Sequence, residues 1–277
     1  MKKYKYPAVL TIAGSDSGGG AGIQADLKVF SALGCYGTSA ITAVTVQNTR
    51  GVTGIHNIPP TVVAGQIKAV MDDIRPSAIK IGMVHSIELA QAIADTIKNY
   101  PGVPVILDPV MVATSGDRLI EYETVDTLQK ELFPLAALVT PNLDETAILI
   151  GAGVSNVNEM KAAAADILKA GCNAVLVKGG HLQGEDLYNY YLDQQGNHEL
   201  FASKAVNTVN THGTGCSLSS AIAAFMARGI TLKEAIEWAG NYIYEAIVHG
   251  SDVVTGNGHG PLNHFFNPIP LIKNELE

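Results

Sequence analysis

Ala8-Val9-Leu10-Thr11-Ile12, then Gly14-Ser15-Asp16-Ser17-Gly18-Gly19-Gly20, then the segment Ile23 to Leu33 follow one another near the start of the chain. The first run is short and apolar, suited to a strand buried on both faces. The second is a glycine/serine turn. The third places Ile23, Leu27 and Phe30 at helical spacing. Strand, turn and helix make one βα unit, and the alternation continues downstream. Thr38 to Val46, Ala78 to Ile81, Val103 to Leu107, Ala136 to Val139 and Ala174 to Val177 read as strands. Val63, Ile67, Val70 and Ile74 mark one intervening helix, Leu89, Ile93 and Ile97 a second, and Val157 to Leu168 a third. Asp186 to Leu192 and Glu199 to Lys204 read as an antiparallel hairpin, and Ser217 to Arg228 and Leu232 to His249 as the last helices. This pattern predicts an α/β fold: three layers, with a mostly parallel central sheet and helices on both faces.

Composition narrows the function classes. The chain has 277 residues, 47% hydrophobic and 16% charged, ample for a large core. A formal charge of −8 without a basic cluster argues against nucleic-acid or membrane-surface partners. Cys35, Cys172 and Cys216 lie far apart and are odd in number, which suits a reducing, cytoplasmic setting. Met1-Lys2-Lys3 is basic like the start of a signal peptide, but the apolar stretch after it is short and runs into the glycine turn. No run reaches the roughly 20 apolar residues of a membrane span. The histidines show no metal-ligand spacing with cysteine, so no zinc site is expected. Without repeats, linkers or low-complexity tracts, residues 1–277 are expected to form a single domain.

The residues with chemical potential cluster at predicted strand ends and helix starts. Asn210-Thr211-His212-Gly213-Thr214-Gly215-Cys216 leads into a run of good helix formers. First-turn N–H groups lack internal partners, the macrodipole is positive there, and glycine lets an anion approach. The same pattern also describes an ordinary glycine turn. Lys178-Gly179-Gly180-His181 ends a strand with a point charge beside open backbone. Gln47 ends another, where its amide offers a donor and an acceptor side by side. Met83 and Met111 follow strand ends, although methionine is commonly core filler. Asp108 follows a strand, and Asp26 lies early in the first helix, where it could simply serve the dipole. Asn142 and Glu145 make a capping-box pattern directly after a strand, repeated by Asn156/Glu159 and Thr231/Glu234 elsewhere. Val112 to Leu119 is polar and flap-like. Gly18-x-Gly20 is only half a dinucleotide fingerprint, and no Walker A lysine follows a glycine loop. Carboxylates, one lysine, an anion hole and a thiol at the carboxyl edge of one sheet suit Mg²⁺-dependent phosphoryl transfer.

Gly14 to Lys28, Val46-Gln47-Asn48-Thr49-Arg50-Gly51, Lys80-Ile81-Gly82-Met83, Asp108-Pro109-Val110-Met111, Thr140-Pro141-Asn142, Val177 to His181 and Asn210 to Cys216 occur in that order. Together they resemble the hydroxymethylpyrimidine/phosphomethylpyrimidine kinases of thiamin biosynthesis, within the ribokinase-like superfamily. The resemblance implies a ribokinase-like domain, usually homodimeric. It also implies that ATP and Mg²⁺ phosphorylate 4-amino-5-hydroxymethyl-2-methylpyrimidine and then its monophosphate. By the same resemblance, Gly14, Ala21, Asp26, Gln47, Met83, Val110 and Cys216 belong to the pyrimidine pocket. Asp108, Asn142, Glu145, Lys178, Thr211, Gly213 and Gly215 belong to the nucleotide and magnesium side, with Asp108 and Glu145 toward the metal. Cys216 stands where the wider superfamily has an aspartate base, and next to a helix N-terminus its pKa is expected to be lowered. Pyridoxal or pyridoxine kinase is the competing activity, and a non-catalytic ligand-binding regulator another. Ala113, where a related pyridoxal-kinase group has cysteine, and the retained Gln47 favour the pyrimidine.

Overall fold

The computed structural model of the chain describes residues 3–111, 120, 122–180 and 186–276. In chain order the strands are β1 (Tyr4–Lys5), β2 (Ala8–Asp16), β3 (Tyr36–Asn48), β4 (Gly51–Asn57), β5 (Ala78–Ile81), β6 (Val105–Leu107), β7 (Leu138–Val139), β8 (Ala174–Gly179), β9 (Asp186–Asp193), β10 (His198–Lys204) and β11 (Asn274–Glu275). The helices are α1 (Gly22–Ala32), α2 (Pro60–Asp73), α3 (Ile87–Ile97), α4 (Tyr122–Thr127), α5 (Leu143–Ile150), α6 (Val157–Leu168), α7 (Thr214–Ala227) and α8 (Leu232–Val248).

Nine strands form the main sheet in the order β10-β9-β8-β7-β6-β5-β2-β3-β4. From β8 to β3 the neighbours are parallel; β4, β9 and β10 add antiparallel edges. The order turns at β2, flanked by β3 on one side and β5 on the other. That is a topological switch point, where sheets of this kind open a crevice at their carboxyl ends.

Period-two alternation sorts strand residues between two cores. Leu10, Ile12, Ile79, Ile81, Val105, Leu107, Val175 and Val177 pack with α2, α3 and α6. Val9, Ala78, Ile106, Leu138, Ala174 and Leu176 pack on the other face with α1, α7 and α8. The expected three layers are therefore present. α7 is buried nearly all round, which explains its alanine- and serine-rich sequence: it runs between the sheet, α1 and α8.

The predicted hairpin is present, with Glu199 opposite Tyr191. Strand β4 was not expected; its exposed, glycine-interrupted sequence carries little burial signal and it is ordered by pairing with β3. The two-residue ladder between β1 and β11 joins the two ends of the chain and is likewise invisible to local pattern. The expected strands at Val103 and Ala136 begin later, at Val105 and Leu138. Between α4 and β7 the chain makes a π turn (Leu128–Leu132) and a 3₁₀ turn (Phe133–Leu135). Among the described residues no helix is long and apolar enough to cross a membrane. The expected flap, Val112 to Leu119, and His181 lie outside the described residues.

Candidate active site

Two glycine turns meet at the carboxyl end of β2. The first follows β2 and enters α1 at Gly22 (φ +55°), where a Cβ would overlap the carbonyl oxygen of Gly14. The second precedes α7 at Gly213 (φ +82°), where a Cβ would overlap the carbonyl oxygen of Gly20. Both positions need left-handed backbone and a bare α-carbon, so the two turns lie in direct main-chain contact. Asp16 fastens them. Its Oδ1 accepts from Gly18 N at 2.7 Å, and its Oδ2 accepts from Ala21 N at 2.8 Å, Gly20 N at 3.1 Å and His212 Nε2 at 3.0 Å. Burial opposes its charge, but His212 and the N–H groups of Ala21 and Gly18 outweigh that and hold the carboxyl below its usual range.

Gly213 caps α7 without a side-chain hydrogen bond, and the helix has no acidic residue in its first turn. The positive end of its dipole is left for an external anion. Lys178, at the end of β8, stands beside it: a Cβ on Gly215 would lie 3.1 Å from the lysine Nζ. Lys178 Nζ pairs with Asp108 Oδ1 at 2.7 Å, and Thr140 Oγ1 donates to the same oxygen at 3.1 Å. Burial works against the Lys178 ammonium, but Asp108 and Glu145 hold its pKa above the ordinary value.

Asn142 and Glu145 form a complete capping box at the start of α5, each side chain accepting from the other's N–H at 2.8 Å. At Asn156 only half of the box forms, because Glu159 turns to Ser155, and Thr231 makes no side-chain cap. Burial pushes Glu145 up to about 7; Lys178 opposes this and Asp108 adds to it. One cap therefore also supplies a carboxyl poised near neutrality at the cavity wall.

These groups border one cavity of about 980 Å³. Its lining includes Gly14, Ala21, Gln47, Met83 and Val110 together with Asp108, Asn142, Glu145, Lys178, Thr211, Gly213, Gly215 and Cys216. A Cβ on Gly14 would come within 3.2 Å of Met83 Sδ, so the glycine keeps this wall open. Met111 is core.

Two expectations need correction. Asp26 is not in the cavity lining but wholly buried beneath it. Lys80 Nζ lies 3.0 Å from each of its oxygens, Ser220 Oγ donates to one at 2.7 Å and Thr11 Oγ1 to the other. Four contacts from three donors fill the acceptor sites of the carboxylate, which leaves none for a ring. The Cys216 thiol, half-buried at the cavity, is not lowered. Burial pushes its pKa up to about 11; the Lys80 charge pulls the other way, while Asp108 and Asp26 add to the rise. The helix N-terminus is outweighed.

Sequence reasoning passed over Asp16, His212 and Lys80. Asp16 was legible as the only acid inside the glycine turn, and His212 as a titratable residue inside the anion-hole motif. The far end of the cavity was also missed. There Leu200, Ala202, Ile236, Gly240 and Tyr244, from β10 and α8, form a largely apolar slot that no local motif announces.

Residues 16–263 match the family described as phosphomethylpyrimidine kinase. The chain is 49% identical over 257 residues to a hydroxymethylpyrimidine/phosphomethylpyrimidine kinase of Rhizobium meliloti (strain 1021), covering 92% of this chain and 96% of that one. Among solved structures it resembles a phosphomethylpyrimidine kinase from Clostridium difficile 630, with 43% identity and a TM-score of 0.77 over 87% of this chain and 99% of the other. It also resembles a Bacillus subtilis pyridoxal kinase solved as an ADP complex, with 34% identity and a TM-score of 0.85 over 94% and 98%.

Proposed function

The chain belongs to the phosphomethylpyrimidine kinase family, and we propose that it transfers phosphoryl groups from ATP in two successive steps of thiamin biosynthesis. The first acceptor is the hydroxymethyl group of 4-amino-5-hydroxymethyl-2-methylpyrimidine; the second is the phosphate of the resulting monophosphate. The observation that carries this reading is the single cavity: a pocket lined by Gly14, Ala21, Gln47, Met83 and Val110 opens onto an anion hole with a lysine beside it. Its volume lies near the upper end of small-molecule sites, suited to two ligands at once.

Phosphoryl transfer needs positioning and charge neutralisation more than covalent help. Backbone N–H groups at Gly213 and Gly215 and the Lys178 ammonium are placed for the transferring group. Asn142 and Thr211 border the nucleotide phosphates, and the slot of Leu200, Ala202 and Ile236 takes the base. Among the described residues no group of three metal-binding side chains exists. Two carboxylates, Asp108 and Glu145, nevertheless border the anion hole, and Mg²⁺ is typically held by one or two carboxylates together with substrate phosphates. The donor set therefore fits an ion that arrives with the nucleotide. When bound, Mg²⁺ would offset charge on the phosphate oxygens.

With its pKa near 11, Cys216 enters the reaction as a neutral thiol. Its role is to shape the anion hole rather than to act as a preformed base. The phosphate acceptor of the second step, with a pKa of about 6, needs no base at neutral pH. Exposed Val44 and Val46 on β3 (42% and 63%), next to the edge strand β4, support a homodimer, and the three free cysteines support a cytoplasmic setting.

The test is a substrate panel. Purified protein with ATP and Mg²⁺ is offered the aminopyrimidine alcohol, its monophosphate, pyridoxal and pyridoxine, and products are followed by ³¹P NMR. Sequential appearance of the monophosphate and diphosphate is expected. Turnover of pyridoxal with none of the pyrimidine would replace this reading by a vitamin B6 kinase.

A further inference from the structure

Gln47 sits where β3 leaves the sheet, and its backbone is clamped: Gln47 N donates to Ser17 Oγ at 2.9 Å, and Ser17 Oγ donates to Gln47 O at 2.7 Å. Its carboxamide lies between two polar neighbours. As placed, its oxygen lies 3.0 Å from Thr45 Oγ1 and its nitrogen 3.5 Å from His212 Nε2. The two ends of an amide occupy nearly the same space, so their assignment follows from which neighbours carry protons.

Those protons are determined from outside the amide. His212 Nε2 lies 3.0 Å from Asp16 Oδ2, and that carboxylate otherwise receives three backbone N–H groups. An ionised carboxylate only accepts, so His212 Nε2 carries a proton; Asp16 takes it, and the protonated nitrogen offers no lone pair to an amide N–H and favours the amide oxygen only by charge. At the other end, Thr45 Oγ1 lies 2.9 Å from the carbonyl oxygen of Ser15, which also only accepts. The threonine has one proton, and the carbonyl takes it. Thr45 Oγ1 is then an acceptor toward Gln47.

We propose that Asp16 and His212, with Thr45, hold the Gln47 carboxamide in one orientation, oxygen toward His212 and nitrogen toward Thr45, and thereby determine which ring edge the pocket accepts. In this orientation one oxygen lone pair and one N–H remain for a ligand, acceptor on the His212 side and donor on the Thr45 side. A ring amine beside an unprotonated ring nitrogen complements that order. A 4-oxo ring with a protonated neighbour presents the reverse order and requires the amide to flip. Flipping would set N–H against N–H at His212 and leave an oxygen facing a Thr45 oxygen without a proton. A site whose polar groups are fixed in this way rejects the mismatched ligand far more strongly than an apolar wall does. His212, Asp16 and Thr45 are positioning residues: they act through Gln47. The inference rests on the reading of this wall as the pyrimidine pocket.

The experiment compares kcat/KM for the 4-amino substrate and its 4-oxo analogue in the full-length protein. Wild type is expected to favour the amine by about 100-fold or more. In His212→Leu the amide is freed, and the ratio should fall at least about tenfold; His212→Gln, which restores an N–H near the Nε2 position, should recover it. Thr45→Val frees the other end and should lower the ratio in the same direction, which keeps the test open if His212→Leu does not fold. An unchanged ratio in Thr45→Val, or in a folded His212→Leu, overturns the proposal. Long-range ¹H–¹⁵N NMR of the histidines, with His212→Gln for assignment, gives a readout independent of turnover. A proton on Nε2 of His212 is expected, and a bare Nε2 overturns the network. If wild type phosphorylates neither ring, the proposed function fails, while the NMR result still decides the network.

Discussion

Two lysine–aspartate pairs lie at this end of the sheet and differ in one respect. Lys80–Asp26 is sealed from solvent, both side chains being fully buried although Lys80 borders the cavity, whereas Lys178–Asp108 reaches the cavity surface, the lysine 11% exposed. In the sealed pair Thr11 and Ser220 complete the carboxylate shell. Its capacity is spent on joining β2, β5, α1 and α7. The open pair keeps donors facing the anion hole. Residue type does not separate a structural ion pair from a working one; remaining hydrogen-bond capacity and exposure do.

The largest expected effect tests the sealed pair. Asp26→Ala strands a buried ammonium and should cost about 3–5 kcal/mol in urea denaturation. If that variant is as stable as wild type but inactive, Asp26 belongs to the open side and the contrast collapses. Lys178→Ala should weigh on turnover instead: it also unpairs the buried Asp108, but kcat/KM falls about 10²–10³-fold in both phosphorylation steps alike. A loss confined to one step would contradict a role on the ATP side.

Glu145 sharpens the contrast through pH. It faces the open pair, and its folded pKa of about 7 exceeds the ordinary 4.5. The folded state then keeps a proton that the unfolded chain has released. Its contribution is full below about 4.5 and is lost as pH rises through about 7. Nucleotide-free protein should lose on the order of 3 kcal/mol across that window relative to Glu145→Gln, measured by denaturation at several pH values. Parallel pH profiles for the two proteins would remove Glu145 from the titration.

The smallest effects concern Cys216, which feels both lysines. A neutral thiol should react slowly with iodoacetamide at pH 7 and faster only toward pH 11, and Lys80→Met should slow it further. Cys216→Ala should slow the two phosphorylations about equally and modestly; a selective loss in the first step would restore the thiol as its base.

Much of the architecture was readable in advance. Alternation at Leu10, Ile12, Ile79 and Ile81 and spacing at Val63 and Ile67 report burial directly, and those elements are where the pattern puts them. The glycine turns were readable because bare backbone is a local demand. β4 was not, because its pairing with β3 supplies what its exposed sequence lacks. Asp26 shows the matching error at the site: its position in the motif suggested contact with a ring, yet its three donors come from three separate segments.

The amino-acid order alone settled which segments become strands and helices, where glycine is obligatory, and which helix start offers an uncountered dipole. Each of these depends on neighbours within a few positions. Only the folded chain decided which carboxylate is saturated and which thiol is neutral. Those properties depend on burial and proton donors brought together across long stretches of sequence, as when His212 reaches Asp16.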